Sequence, residues 1–442
     1  MIRICMVGTG YVGLVSGACM ADFGHHVTCV DINAERIRAL ERGEIPFYEP
    51  GLDRLVLKNV QEERLVFTTD LAAGIDGADV VFIAVQTPMS ESGEADLQYV
   101  MKVGQDIGAL LDGYKVIVTK STVPVGTNRH LAEVIRGHLK DPAVTFDMAS
   151  NPEFLREGSS IDDFMRPDRV VIGTETERSE KLLRDIYRPL YLLDTPIVKT
   201  GIETAELIKY ASNSFLAVKI SFINEIARLA EKVGADVFDV AKSMGLDKRI
   251  GPKFLHAGLG FGGSCLPKDT NAIVHIAQQA GADMSIVRAA IGVNADLPGR
   301  ALAKAEALTG GLQGLTVALL GLAFKPNTDD IRSAPALDLV AGLKARGCTV
   351  RVHDPAAAEN FKLVHPDLVY CRSPYEACAG ADLVILVTEW NQYRQLDFAA
   401  IAAKTEGRAF LDCRNVYTRP HLEAHGFRYD CFGRAGHTSD PA

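Results

Sequence analysis

The chain begins with a short apolar run at residues 2–7 that breaks at Gly8-Thr9-Gly10-Tyr11-Val12-Gly13. An apolar stretch of helical length follows, ending at Phe23-Gly24, and a second run at 26–30 stops at Asp31. This order predicts strand, glycine turn, helix and strand, because short apolar runs bounded by glycine suit strands buried on both faces. Comparable runs recur at 79–85, 115–118 and 144–148. Two of them lead into polar stretches, Gln86-Thr87-Pro88 and Lys120-Ser121-Thr122-Val123-Pro124. Open α/β sheets bind ligands at such carboxyl ends of strands.

The last third repeats the scheme. Residues 347–354 echo 24–31, and 380–388 echo 77–85. A strand at 315–320 before Gly321 is the counterpart of the opening one, but Phe324-Lys325 stand where the first half has Tyr11-Val12, so the glycine signature is degenerate. Between the halves, residues 203–233 hold no Gly or Pro. Their helix formers predict a helix about 45 Å long. Its apolar residues, Leu207, Phe215, Phe222, Ile223 and Leu229 among them, surround most of the girth. Such a helix is expected to be buried by both domains, by a second subunit, or by both. Pro298-Gly299 and Gly310-Gly311 are read as the boundary of the last domain. The predicted class is α/β, with two Rossmann-like doubly wound parallel-sheet domains joined by a long central helix. The expected divisions are 1–200, a central helical and dimerising domain at 201–297, and 312–435.

Composition narrows the class. With 442 residues the chain exceeds what one core supports. Its 47% hydrophobic and 23% charged content excludes disordered and fibrous classes. A net charge of −9 argues against a nucleic-acid partner, and no apolar run reaches the ~18–20 residues that cross a bilayer. The first residues run straight into strand-like sequence without a signal-peptide layout. Nine cysteines without a C-x-x-C pair disfavour a disulfide framework and a metal cluster, so no metal is expected and the expected setting is a reducing cytoplasm.

Gly8, Gly10 and Gly13 lie between a strand and a helix, with Asp31 closing the next strand. That context makes them a dinucleotide fingerprint. Gly8 permits the tight turn, Gly10 lets the backbone approach a pyrophosphate, and Gly13 lets helix and strand pack closely. Asp31 suits a ribose 2′-hydroxyl and repels a 2′-phosphate, which favours NAD over NADP, although Arg36 offsets part of that repulsion.

The second chemical segment is Ala257-Gly258-Leu259-Gly260-Phe261-Gly262-Gly263-Ser264-Cys265-Leu266-Pro267-Lys268-Asp269. So many glycines imply a backbone that closely approaches a ligand or another backbone. Cys265 stands three residues before Lys268, and a nearby ammonium favours the nucleophilic thiolate. Cys5, Cys19, Cys29 and Cys348 are read instead as small core residues. A dinucleotide fold with a placed cysteine suggests oxidation through the aldehyde level: the thiol adds to an aldehyde, the thiohemiacetal donates a second hydride, and the thioester is hydrolysed to acid.

These segments, with Asn151-Pro152-Glu153-Phe154-Leu155-Arg156-Glu157-Gly158, Gly321-Leu322-Ala323-Phe324-Lys325 and Asp412-Cys413-Arg414-Asn415, resemble the UDP-glucose/GDP-mannose dehydrogenase family over nearly the whole chain. The resemblance implies that Cys265 is the covalent nucleophile and that Glu153 activates the hydrolytic water. It implies that Lys209 and Asn213, at i and i+4 on one helix face, hold the C6 oxygen of the sugar. Asp269 and Thr122 are implied in water positioning and proton transfer. For NAD the matching positions are Gly8, Gly10, Tyr11, Val12, Gly13, Asp31, Arg36, Thr87, Thr122, Glu157, Lys268 and Arg332. The sugar nucleotide is expected at Glu153, Phe154, Leu155, Lys209, Asn213, Phe254, Leu255, His256, Gly258, Gly262, Phe324, Lys325 and Arg414. Arg249 matches an arginine that reaches a neighbouring subunit's site, which implies a homodimer.

Substrate identity is where the pattern divides. Leu266 follows the cysteine where UDP-glucose enzymes usually carry Phe and GDP-mannose enzymes Leu, and His256 replaces a longer residue often found there. Asp412-Cys413-Arg414-Asn415 and Gly258-Leu259-Gly260-Phe261 match the UDP-glucose branch. The expected reaction is four-electron oxidation of UDP-glucose to UDP-glucuronate, with GDP-mannose or a UDP-N-acetylhexosamine as alternatives. A catalytically silent nucleotide-sugar sensor or a one-step hydroxyacid dehydrogenase are the competing classes. The number of NADH formed per substrate, two, none or one, separates them.

Overall fold

The computed structural model describes residues 1–90 and 93–435. The chain divides into two compact units, Met1–Ser212 with His275–Ala282, and Asn213–Val274 with Asp283–Ala442. The first is built on eight strands: β1 (Arg3–Val7), β2 (His26–Val30), β3 (Leu65–Thr68), β4 (Val80–Ile83), β5 (Lys115–Thr119), β6 (Phe146–Ser150), β7 (Val170–Thr174) and β8 (Ile197–Thr200). Their order is β3-β2-β1-β4-β5-β6-β7-β8. The first six are parallel, as the apolar runs require. The β6–β7 pair is antiparallel, so the last two strands run the other way, which the sequence pattern did not reveal.

Alternation within β1 shows why its run is apolar throughout. Ile4 and Met6 enter a core with Leu14, Val15 and Phe82 on one face, while Cys5 and Val7 enter a second core with Val81, Ile117 and Leu131 on the other. A sheet covered by helices on both faces has no position for a polar side chain there. The switch point of this order lies between β1 and β4, beside the glycine turn.

The second unit carries β9 (Thr316–Leu320), β10 (Thr349–His353), β11 (Val369–Tyr370), β12 (Leu383–Leu386), β13 (Ala409–Asp412) and β14 (Arg428–Cys431), all parallel, in the order β11-β10-β9-β12-β13-β14. The internal echo in the sequence is therefore a repeated fold. Both sheets follow the 3-2-1-4-5-6 order of dinucleotide-binding proteins. The α/β class with two Rossmann-like sheets and a long central helix is the architecture observed.

That helix spans Ile202–Val233, 32 residues without interruption. The proline at 298 does not interrupt the secondary structure. Pro298 and Gly299 lie inside a second long helix, Ser285–Thr309, which ends only where Gly310 turns left-handed at φ 80°. A proline removes one intrahelical hydrogen bond, here that to the Asn294 carbonyl, and packing around Leu297, Ala301 and Leu302 keeps the helix intact. Among the described residues no helix is long and apolar enough to cross a membrane.

Candidate active site

In the first unit the glycine turn is built from three different constraints. Gly8 has φ +101°, and a Cβ there would lie 2.7 Å from the Ala84 carbonyl oxygen. A Cβ on Gly13 would stand 1.9 Å from the Gly8 carbonyl oxygen, so helix and strand meet without room for a methyl group. Gly10 is the opposite case: it caps the helix Tyr11–Asp22, and nothing lies within 4 Å of its missing Cβ. Open space before a helix N-terminus suits a pyrophosphate, and these residues fit NAD.

Asp31 ends β2 and accepts hydrogen bonds from the Thr9 N–H (2.8 Å), the Thr9 hydroxyl (2.7 Å) and the Asn33 N–H (2.9 Å), with Arg36 at 3.2 Å. Burial raises its pKa, but these donors and the Arg36 guanidinium outweigh it, holding the carboxyl below its ordinary value. The Thr87 hydroxyl donates to the Thr122 carbonyl at 2.9 Å, joining the two polar stretches that follow β4 and β5. Val12 packs against the core, and Glu157 is half-buried. Tyr11 turns its hydroxyl onto the buried carboxylate of Glu49, which also accepts from the Gly158 N–H (2.5 Å) and the Ser160 N–H (2.8 Å). Glu49 was missed in the sequence because its main-chain partners, Gly158 and Ser160, are more than a hundred residues downstream.

The same unit pairs Lys209 with Glu153. Their Nζ–Oε1 distance is 3.0 Å, and the second carboxylate oxygen accepts the Leu155 N–H at 2.5 Å. Phe154 lies under the Arg169 guanidinium at 3.4 Å and 5.4 Å from the Lys209 ammonium. Leu155 packs its side chain against the core.

In the second unit Cys265 immediately precedes the helix Leu266–Gln279, and its carbonyl accepts the Asp269 N–H at 2.8 Å. Its sulfur lies 3.7 Å from the Ser264 hydroxyl. The wholly buried Asp269 carboxylate accepts from the Asn213 amide at 2.6 Å and from the Lys268 ammonium at 2.5 Å. Asn213 sits one turn beyond Lys209 on the long helix, and in this structure each donates to its own carboxylate.

The glycine loop approaches protein rather than empty space. A Cβ on Gly258 would lie 2.4 Å from the Cys413 carbonyl oxygen, on Gly260 2.0 Å from Asn294 Oδ1, on Gly262 2.2 Å from the Ser333 carbonyl oxygen, and on Gly263 2.7 Å from the Phe324 ring. Asn224 accepts the Gly258 N–H at 3.0 Å, and Asn294 clamps Phe261 through both its N–H (2.8 Å) and its carbonyl (3.0 Å). Neither asparagine was singled out in the sequence, although each interrupts the apolar pattern of its helix. Close approach to another backbone, one of the alternatives open for this loop, is seen at Gly258 and Gly262.

The remaining candidates divide by environment. Arg414 donates Nε to the Val387 carbonyl at 2.6 Å, faces Glu389 at 3.3 Å and reaches the Gly260 carbonyl at 3.4 Å. Lys325 lies 5.3 Å from the Phe324 ring. Arg332 is 62% exposed and paired with Asp330. Phe254 holds a left-handed φ of 67°, Leu255 is buried in a small core with Ile223 and Ala227, and His256 is exposed. Arg249 is 89% exposed and paired with Asp247. Cys5, Cys19 and Cys29 are fully buried, and burial pushes the Cys5 thiol up to about 12.

Comparison with known proteins gives these features a family. Profiles of the UDP-glucose/GDP-mannose dehydrogenase family match throughout: the NAD binding domain over residues 2–191, the central domain over 203–296 and the UDP binding domain over 318–419. The chain is 50% identical over 438 residues to a UDP-glucose 6-dehydrogenase of Rhizobium meliloti (strain 1021), covering 98% of this chain and 100% of that protein. It is 45% identical to the UDP-glucose 6-dehydrogenase TuaD of Bacillus subtilis (strain 168), covering 98% and 94%. The structure of a UDP-glucose dehydrogenase from the hyperthermophilic archaeon Pyrobaculum islandicum superposes with a TM-score of 0.89 at 40% identity, covering 94% of this chain and 95% of that one. With a nucleotide-binding sheet at each end of the chain and a cysteine loop coded between them, this protein belongs to the UDP-glucose/GDP-mannose dehydrogenase family.

Proposed function

We propose that the protein oxidises the C6 hydroxyl of UDP-glucose twice, to UDP-glucuronate, through covalent intermediates on Cys265. NAD, when bound, accepts a hydride in each oxidation. Lys209 and Asn213, one turn apart, donate to the C6 oxygen and stabilise its negative charge. Cys265 adds to the aldehyde carbon, forming a C–S bond and a thiohemiacetal whose C–H becomes the second hydride. Glu153 then takes a proton from water as it attacks the thioester, and the C–S bond breaks to release acid and thiolate. Asp269, held by Asn213 and Lys268, and Thr122 position water and pass protons.

The observation that carries this reading is the pairing of a buried base with a buried cation, Glu153 with Lys209, in a chain whose cysteine loop packs closely at Gly258, Gly260, Gly262 and Gly263. A one-step dehydrogenase or a silent sensor needs no such set. Full-length identity to enzymes named for UDP-glucose supports the substrate, while Leu266 is the one feature that favours GDP-mannose. Supplying each sugar nucleotide with excess NAD and counting NADH tests both points. Two NADH per UDP-glucose is expected; one, none, or faster oxidation of GDP-mannose overturns the reading.

The working form we infer is a homodimer in the cytoplasm. Phe215, Phe222 and Leu229 follow one another at two-turn spacing along the long helix and are exposed, an apolar stripe that a second copy would cover. Arg249, 89% exposed and paired with Asp247 two residues away, is the side chain assigned to the partner's site. The nine cysteines form no disulfides, which suits a reducing compartment.

A further inference from the structure

Lys120 is a buried cation that the mechanism above leaves without a task. It directly follows β5, with only 3% of its surface exposed. Its ammonium donates to the Asn151 side-chain oxygen at 3.0 Å, to the Asn151 carbonyl at 3.3 Å and to the Tyr187 hydroxyl at 3.2 Å. Tyr187 donates in turn to the Asn151 side-chain oxygen at 2.6 Å. The Asn151 amide nitrogen donates to the Val171 carbonyl at 2.8 Å, and its main-chain N–H to the Thr119 carbonyl at 3.0 Å. The rings of Phe164 and Tyr187 lie 5.9 and 5.8 Å from the ammonium.

A buried ammonium held only by neutral oxygens is costly, and a methionine would fill the same space at less cost. Two features give the charge a purpose. Asn151 lies two residues before Glu153, so the main-chain bond from Lys120 fixes the turn that carries the carboxylate. The charged groups facing Lys120 are Glu153, which favours its protonated form, and Lys209, which opposes it. Burial lowers the ammonium to about 8, which keeps it mostly charged at neutral pH. When Lys209 turns to a substrate oxygen, Glu153 loses its direct partner, while Lys120 stays anchored on Asn151 and its charge continues to act on the carboxylate.

We propose that Lys120 is a positioning residue for Glu153, holding the Asn151-Pro152-Glu153 turn and its carboxylate ready for attack of water on the thioester. This inference rests on the assignment of Glu153 as the base. Its signature is selective: hydride transfer survives while hydrolysis slows.

The test uses the full-length enzyme with NAD and UDP-glucose, comparing Lys120→Met, Tyr187→Phe and Glu153→Gln by rapid mixing and intact-protein mass. Lys120→Met is expected to keep its NADH burst and its KM for UDP-glucose within about threefold of the parent, while hydrolysis slows ~10-fold or more and acyl-enzyme accumulates on Cys265. Tyr187→Phe, which removes a single hydroxyl, is expected to show the same selectivity more weakly, and it decides the matter if thermal melting and NAD titration show Lys120→Met unfolded. Burst and hydrolysis falling together, or neither changing, overturns the role of Lys120. If Glu153→Gln itself turns over normally without an adduct, the assignment of Glu153 fails first. A stalled Glu153→Gln beside unaffected Lys120 and Tyr187 variants removes Lys120 alone.

Discussion

Glu153 Oε1 lies 3.0 Å from Lys209 Nζ, with the two side chains 5% and 4% exposed. A buried pair of this kind is costly to break from one side, by about 3–5 kcal/mol, because the survivor keeps an uncompensated charge. In the proposed mechanism the base and the group that polarises the substrate oxygen thus stabilise each other until substrate arrives.

Glu153→Gln keeps the shape of the carboxylate and removes its ability to take a proton. The expected outcome is a rapid release of NADH followed by a stall, with thioester hydrolysis slowed about 10²–10⁴-fold. Intact-protein mass spectrometry should show the sugar nucleotide attached to the chain. Steady turnover without that species would take Glu153 out of the mechanism.

Cys265→Ser separates covalent chemistry from cofactor binding. A hydroxyl is a far weaker nucleophile than a thiolate at neutral pH, whereas the turn from Gly8 to Gly13 is untouched. Acid formation should vanish while the dissociation constant of NAD stays within about twofold. Product analysis by chromatography and NAD titration by fluorescence make the comparison, and undiminished acid formation would refute the covalent route.

Gly10→Ala and Gly13→Ala should fail in different ways although they lie three residues apart. At Gly13 a methyl group would sit 1.9 Å from a main-chain oxygen, so the variant should lose at least about 1–3 kcal/mol of stability in urea titration. At Gly10 nothing protein-borne lies within 4 Å, so stability should hold and NAD affinity should fall, by roughly tenfold or 1.4 kcal/mol. A Gly10 variant that binds NAD normally would mean that the open space there is not the pyrophosphate site.

The Lys120 ammonium, lowered by burial to about 8 from an ordinary value of 10.5, sets a pH dependence of known sign. Below pH 8 both folded and unfolded chains hold the proton, and the native state bears the whole cost of burying it. Between pH 8 and 10.5 the unfolded chain holds more protons, so this group's contribution to stability rises with pH; above that window the cost is gone. Relative to Lys120→Met, the wild-type protein should therefore gain about 3 kcal/mol across the window. Urea titrations at a series of pH values measure the difference, and a flat difference would show that Lys120 is not buried as an ammonium.

Much of the fold could be read from local pattern. The helix expected over 203–233 is observed as Ile202–Val233, because an unbroken series of helix formers leaves little alternative. The glycine turn and the repeat in the last third were legible for the same reason: close packing demands particular residues at fixed spacing. That the helix continues through Pro298 was not legible, because a proline's effect on a helix is settled by packing partners that are not neighbours in sequence. The antiparallel turn into β7 left no mark, since buried strands of either direction are apolar. Within the candidate site, Cys265 and its loop stood out, whereas Glu49, Asn224 and Asn294 did not. Each of these acts by accepting main-chain N–H groups from segments far along the chain, and one polar residue in a sequence does not say which distant backbone it will meet.

Asp354 occupies in the second sheet the position that Asp31 holds in the first, and it has no lone pair left to offer. One oxygen accepts the N–H groups of Leu322 and Ala323 and the Trp390 indole; the other accepts those of Ala356 and Ala357. The matching donors to Asp31 are the Thr9 and Asn33 N–H groups, so each acid ties the loop after the first strand of its sheet to the loop that follows its own strand. What sets Asp354 apart is the Trp390 indole N–H and a second main-chain N–H on each oxygen, in place of the Thr9 hydroxyl and the Arg36 guanidinium that Asp31 meets. Asp354 therefore serves as a strut: replacing it would leave five N–H donors without their acceptor and loosen two loops at once.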